Sequence, residues 1–185
     1  GATSVVYGHT PVADAEWLHN TLCIDGHDQA VSGGKFMWVR KYRSTVIERG
    51  GNRVLDKLVA EHDGYKRLPG KPAHRRSWEL DKLGDVLVVR DEISGSRAQS
   101  VALNWHFSEE CSVTCTPDGL LVANGPVNLE IVLPPNGEVS LLRGSDSPLA
   151  GWVSRGYDRI VPSTTVTWRG RIEPGEELET RIKRV

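Results

Sequence analysis

The stretch QSVALNWHF, Gln99–Phe107, shows the most regular alternation of apolar and polar residues in this 185-residue chain. Valine, leucine, tryptophan and phenylalanine occupy the odd positions from 101 to 107, and alanine, asparagine and histidine occupy the even positions between them. Successive side chains of a β-strand point to opposite faces, so a period of two is typical of a half-buried strand. Residues 99–107 therefore predict a strand with one face in an apolar core.

Similar patterns recur along the rest of the chain. Asn128–Leu133 alternates in the same way, and Val86–Val89 is apolar throughout, which predicts a strand buried on both faces. Further strands are predicted at Thr21–Asp25, Phe36–Glu48, Arg53–His62, His74–Leu80, Leu120–Ala123, Glu138–Leu142, Thr164–Gly170 and Leu178–Lys183.

Turn residues separate these runs, and long stretches of helical periodicity are hard to find. The 19 glycines and 10 prolines are spread along the chain, often in pairs such as Pro69-Gly70 and Asn136-Gly137. Many short strands without intervening helices favour an all-β fold, a two-sheet antiparallel β-sandwich of roughly 10–13 strands. We expect one domain over residues 19–185, preceded by an atypical N-terminal segment, residues 1–18, which alternates poorly.

Charge and apolar content exclude several classes of function. The chain has 23 Lys and Arg against 24 Asp and Glu, so no basic surface for nucleic acid or an anionic membrane is expected. No apolar run is long enough for a membrane span, and any signal peptide is expected to be absent or already removed. Cys23, Cys111 and Cys115 have neither disulfide-framework nor zinc-ribbon spacing. A soluble globular protein is predicted.

A series of motifs, in order, resembles one enzyme family. LHNTLCIDGHDQ at 18–29 resembles the H-N-T and D-G-x-[DN]-Q signature of heparinase II/III-like polysaccharide lyases. Further stretches agree along the chain, namely Phe36–Trp38 with Arg40, Glu61–Tyr65, His74–Arg76 with Pro72, Val88–Glu92, Asn104–Phe107, and Gly151–Ser154 with Tyr157.

The resemblance implies the C-terminal β-sandwich of a two-domain bacterial enzyme that is periplasmic or secreted. Such enzymes cleave uronate-containing polysaccharides by β-elimination, and their other half is a helical α/α toroid that carries most of the catalytic residues. No catalytic residue is assigned here, and the chain is expected to be inactive without the toroid. The alternative is a non-catalytic glycan-binding or structural β-sandwich.

The resemblance also suggests site residues, each with a plainer alternative. Tyr157, Ser154, Asn20 and His106 are candidate substrate contacts, and His19 is a candidate ligand of a structural zinc whose other ligands are missing. Alternatively, His19 is a hydrogen-bonded histidine at the domain edge, Asn20 fixes a turn, His106 is structural and Tyr157 packs in the core.

Two basic residues and the N-terminal segment leave further alternatives open. Arg75 and Arg76 could bind a carboxylate or sulfate. Alternatively, one of them forms a salt bridge and the other faces solvent, because neighbours on a strand point opposite ways.

Residues 5–25 also resemble a G-H-T-P segment of calcineurin-like metallophosphatases, in which His9 would be a metal ligand. His9 alone cannot build a two-metal centre, so a metallophosphatase fragment is a remote alternative.

Overall fold

The computed structural model describes residues 19–34, 37–156 and 159–185, and almost all of its regular structure is β-strand. Residues 64–67 form a 3-10 helix. No helix in the described part of the chain is long and apolar enough to cross a bilayer. The strands are β1 Leu22–Ile24, β2 Val31–Gly34, β3 Met37–Arg40, β4 Ser44–Gly51, β5 Leu55–His62, β6 Ala73–Asp81, β7 Val86–Ser94, β8 Gln99–His106, β9 Ser112–Thr116, β10 Gly119–Asn124, β11 Val127–Val132, β12 Glu138–Arg143, β13 Ser145–Asp146, β14 Leu149–Ala150, β15 Trp152–Gly156, β16 Arg159–Pro162, β17 Thr164–Ile172 and β18 Glu177–Arg184.

Twelve of these strands form two antiparallel sheets. The large sheet has the order β4-β5-β6-β7-β18-β11-β10-β9, and the small sheet has the order β1-β8-β17-β12. The remaining strands pair as three two-stranded ribbons, β2-β3, β13-β14 and β15-β16. The prediction of an all-β, two-sheet antiparallel sandwich is confirmed.

The core lies between the two sheets and draws on both. Strand β8 contributes Val101, Leu103 and Trp105, as its alternation predicts, and Trp168 of β17 is the largest fully buried side chain in the described residues. Tyr65 of the 3-10 helix is also fully buried, and its hydroxyl donates to the backbone oxygen of Leu22 at 2.7 Å. Burial of such apolar area is the main stabilising contribution in a sandwich of this size.

The outer face of the large sheet is charged rather than apolar. Arg90 of β7 pairs with Glu79 of β6 and Glu179 of β18, both at 2.9 Å, and Arg75 pairs with Glu61 and Glu92 on either side. The prediction that Val86–Val89 is buried on both faces is therefore wrong. Val88 is only half-buried, because it lies on the outer face of the sheet, between the cross-strand neighbours Glu79 and Arg181.

The observed strand limits differ most from the predicted ones where a non-strand segment interrupts a stretch that was predicted as one strand. The stretch predicted as one strand at 36–48 contains β3 and the start of β4, with residues 41–43 outside any strand. The predicted atypical segment, residues 1–18, lies outside the described residues, so its prediction remains open.

Candidate functional site

A buried polar network joins several of the motifs singled out in the sequence. Asp91 on β7 is 0 % exposed and His74 on β6 is 3 % exposed, although both face the apolar core. Arg76 donates from Nε to Asp91 Oδ1 at 2.6 Å and from Nη2 to Oδ2 at 2.9 Å, and His74 Nε2 lies 2.5 Å from Oδ1. The fork of the guanidinium thus matches both carboxylate oxygens, which is the strongest geometry for such a pair.

A second histidine extends this network toward the 3-10 helix. Nε2 of His62 lies 3.1 Å from Nδ1 of His74, and the Gly64 amide donates to Nδ1 of His62 at 3.3 Å. Because the ionised Asp91 can only accept, the His74 Nε2–H donates to it. The Gly64 amide can only donate, so Nδ1 of His62 is an acceptor. A neutral His62 therefore carries its proton on Nε2 and donates it to Nδ1 of His74. The result is a continuous chain of donors running from Gly64 to Asp91.

Burial and charge shift two pKa values in the network. Burial, followed by the nearby His74, lowers the pKa of His62 from 6.5 to about 3. For Asp91, burial alone would raise the pKa, but the Arg76 charge and the His74 hydrogen bond outweigh it and lower the pKa from 3.8 to about 2. Both shifts favour the form present at neutral pH, in which His62 is uncharged and Asp91 is ionised.

These shifts predict acid sensitivity. Between pH 6.5 and about 3, the unfolded chain protonates His62 and the folded chain does not. The contribution of His62 to the free energy of unfolding is therefore fully present above pH 6.5. As the pH is lowered from there towards 3, this contribution should decrease by at most about 1.4 kcal/mol per pH unit. Chemical denaturation at several pH values should show a shallower pH dependence for His62→Gln than for the wild type.

A core variant separates this effect from general destabilisation. Val122→Ala removes buried apolar volume and no titratable group, so it should lower stability equally at each pH. If His62→Gln keeps the full wild-type pH dependence, His62 does not remain neutral in the folded state.

Asn20 of the H-N-T motif links this network to the small sheet. Its backbone oxygen accepts from Arg76 Nη1 at 2.6 Å, and its side-chain oxygen accepts from the backbone amide of His106 at 2.7 Å. Both of these oxygens are therefore engaged in holding the end of β8 against β6. The predicted substrate contact by Asn20 is not tested by this geometry.

His106 and Ser154 lie at the same end of the small sheet as the β13–β16 ribbons. Nδ1 of His106 is 2.9 Å from Thr165 Oγ1, which also accepts from the Gly151 amide at 3.0 Å. Ser154 on β15 donates its hydroxyl to the Gly156 oxygen at 2.7 Å. The structure thus ties His106 to the Gly151 turn that precedes β15.

An exposed ion pair lies beside these residues. Arg155 contacts both carboxylate oxygens of Glu109 at 2.8 Å and reaches Ser108 Oγ at 3.2 Å. The hydrogen bond from Arg155 is the main cause that lowers the pKa of Glu109 to about 2. Arg143 also donates to the Glu109 backbone oxygen at 3.0 Å. The Arg155 guanidinium is therefore already paired with the carboxylate of Glu109.

The remaining predicted site residues are His19 and Tyr157. Burial lowers the pKa of His19. Among the described residues, no group of three His, Cys, Asp or Glu is placed to hold a metal ion, so a zinc at His19 would need ligands from elsewhere. Tyr157 lies outside the described residues. The predictions for zinc and for the four substrate contacts therefore stay predictions.

The network contains residues whose role the sequence analysis missed. Asp91 and Arg76 sit on core-facing positions, two residues from Val89 and Trp78 respectively, so each interrupts an apolar alternation. A charged residue at such a position needs a buried partner, and this is the signal that could have paired them. Arg75 and Arg76 do point opposite ways, and both are ion-paired within the chain.

The fold is similar to one part of solved structures of heparinases. The heparan sulfate lyase HepC from Pedobacter heparinus superposes with a TM-score of 0.66 at 16 % identity over 92 % of this chain and 25 % of that one. The heparinase III-BT4657 gene product gives a TM-score of 0.61 at 20 % identity over 91 % of this chain and 24 % of that one. This chain thus spans about a quarter of the length of these proteins.

The family profile described as heparinase II/III-like, C-terminal, matches residues 13–183. The chain therefore belongs to the heparinase II/III-like family and is its C-terminal β-sandwich domain. No curated protein sequence gives a significant match. Nothing in these comparisons supports the resemblance of residues 5–25 to metallophosphatases.

Proposed function

We propose that this domain works within a larger bacterial lyase that cleaves uronate-containing polysaccharides by β-elimination, together with a helical toroid domain. The observation that carries the proposal is the convergence of the family motifs. Asn20 connects the H-N-T segment both to Arg76 of the His74–Arg76 stretch and to His106 of the Asn104–Phe107 stretch. Motifs far apart in the sequence thus build one end of the sandwich, beside the ribbon that carries Ser154.

The chemistry explains why a second domain is needed. β-Elimination requires a group that neutralises the uronate carboxylate, a base that takes the adjacent proton and an acid that protonates the leaving oxygen. In the described residues, the arginine nearest to Ser154 is held by Glu109 and the buried arginine by Asp91. We assign the catalytic groups to the toroid and propose that Ser154, Tyr157, Asn20 and His106 contact substrate.

The test is a comparison of the whole protein that the gene encodes with the 185-residue chain. Ultraviolet absorbance of unsaturated uronate is followed with heparan sulfate, alginate, hyaluronan and chondroitin, with and without zinc. The whole protein should cleave at least one substrate, and the isolated chain should cleave none. In the whole protein, His106→Ala and Ser154→Ala should raise KM by about tenfold each, as expected for loss of a polar substrate contact.

The control is His27→Ala, an exposed histidine outside this end of the sandwich, which should leave KM unchanged. Cleavage by the isolated chain would show that it contains a complete active site. A gene that encodes no helical domain, or a whole protein inactive on all four polysaccharides, would favour the non-catalytic alternative.

A further inference from the structure

A groove of about 680 Å³ opens on the inner face of the large sheet, next to the buried network but sharing no residue with it. Cross-strand pairing defines its floor. Arg49, Leu58 and Trp78 lie opposite one another on β4, β5 and β6, and this row continues into the buried Val89 of β7. The next row on the same face contains Gly51, Asp56 and Leu80. The groove is therefore an exposed extension of the core face.

Trp78 gives the groove an aromatic surface. The residue is half-buried and packs against the core on one side, yet it also lines the groove. Leu80 beside it is 38 % exposed. A tryptophan fixed by packing and open on one side presents a rigid apolar platform, which costs little conformational entropy when a flat ring binds.

The rim of the groove is polar and carries cationic groups. Arg49 is exposed, and its guanidinium forms no ion pair or hydrogen bond with another described residue. The Asn52 side-chain oxygen accepts from the Val54 and Leu55 amides, and its amide nitrogen has no acceptor among the described residues. Asp56, the acidic residue of the lining, is neutralised by Lys82 at 2.7 Å. An anion in the groove would thus meet Arg49 without a competing carboxylate.

The wall of the groove is low at the β4–β5 hairpin. Gly50 and Gly51 form this wall, and neither has a side chain that could close the groove there. The groove is thus open at the side, so that a linear polymer could pass through it without its ends having to enter.

We propose that this groove is an accessory binding site for an acidic polysaccharide, in which a sugar ring packs on Trp78 and a uronate carboxylate pairs with Arg49. The choice of uronate rests on the proposed function. A protein partner is less favoured, because interface cores are depleted of charged residues whereas this lining includes Arg49, Asp56 and Lys57. A carboxylate on a guanidinium and a ring on an indole are, by contrast, complementary to what the groove offers.

Binding is measured on the 185-residue chain by calorimetry with alginate and heparan sulfate oligosaccharides, and with a neutral dextran oligosaccharide for comparison. At least one acidic oligosaccharide should bind, and added salt should weaken it. Arg49→Gln should weaken it by about tenfold, as expected for loss of a charge-assisted hydrogen bond. Trp78→Ala should weaken it by about tenfold or more, and Trp78→Tyr should restore part of the affinity.

A control variant keeps the result interpretable. Arg171→Gln removes another exposed arginine, which lies outside the groove, and should leave binding unchanged. The Arg49 guanidinium is bound to no other described residue and the change to glutamine leaves the backbone pairing of β4 in place, so this variant stays informative even if Trp78→Ala unfolds. The proposal would be overturned by any of three results. These are equal affinity of the wild type and Arg49→Gln, absence of binding by every acidic oligosaccharide, and a groove occupied by a second copy of the chain in solution.

The experiments test the accessory site and the proposed lyase function independently of each other. In the whole protein, Arg49→Gln should leave cleavage of short oligosaccharides unchanged and slow cleavage of long chains. If the whole protein is not a lyase, calorimetry on the isolated chain still reports on the groove. If it is a lyase but the oligosaccharides do not bind the isolated chain, only the accessory site is excluded.

Discussion

Replacement of Asp91 by asparagine is expected to lower the free energy of unfolding by about 3–5 kcal/mol, the cost of breaking a buried ion pair on one side. The carboxylate accepts from Arg76 through both oxygens and also pairs with His74, and all three side chains are nine-tenths or more buried. Asparagine would leave the guanidinium without an opposite charge and would place an amide donor against other donors. Denaturant unfolding followed by circular dichroism measures the loss.

The neighbouring residue provides a matched control. Glu92 is adjacent in the strand but points outward, where it pairs with the exposed Arg75 at 3.4 Å. Glu92→Gln should cost at most about 1 kcal/mol, as is usual for surface pairs. A double variant, Asp91→Leu with Arg76→Met, should recover part of the loss, because removal of both charges leaves neither one unpaired. Equal effects of Asp91→Asn and Glu92→Gln would show that the buried pair does not stabilise the fold through its charge.

Replacement of Trp168 by alanine should cost about 3–5 kcal/mol, the range for removal of a buried aromatic ring. Trp168 is 1 % exposed, and its indole nitrogen donates to the Pro134 oxygen at 2.8 Å. Two glycines make room for the ring. A Cβ at Gly137 would lie 2.1 Å from a ring atom, and one at Gly170 would lie 2.3 Å from another.

A double-mutant cycle can test this arrangement. Gly170→Ala alone should cost about 1–3 kcal/mol through overpacking, because the buried ring has nowhere to move. In the Trp168→Ala background the same change should cost much less, since the atom that it strikes is gone. Gly156→Ala, at a strand position with no atom within 4 Å of the added carbon, is the control and should be close to neutral. Additive effects of the two changes would mean that the ring does not rest on Gly170.

The sequence predicts the strands well where alternation and turns act together. Residues 99–107 match β8 closely, and Leu129, Ile131 and Leu133 face the core as their spacing indicates. Short elements such as β13 and β14 were missed, since two residues carry no period. The even face of β8 is less exposed than its polar residues suggest. Asn104 is 1 % exposed because its side chain pairs with Thr167 on the adjacent strand.

The site is less predictable because its contacts depend on register. Motif similarity identified Asn20, His106 and the His74–Arg76 stretch. Their contact through Asn20, however, needs the residues before β1 to meet β6 and β8 at one end of the sandwich. Neither alternation nor turn chemistry fixes which strands become neighbours in an eight-stranded sheet. The groove was missed for the same reason, since Arg49 and Trp78 lie in one row only through the pairing of β4, β5 and β6.

The position of β18 has a consequence for how the domain forms during synthesis. This strand, Glu177–Arg184, lies between β7 and β11, although it is the last of the eight strands of its sheet to leave the ribosome. Until then, β4–β7 and β9–β11 are two separate pieces, each with an unpaired inner edge that can pair with another chain. The two pieces of the large sheet are therefore joined only after translation of residue 184. A nascent chain that stalls before residue 177 would be prone to aggregate.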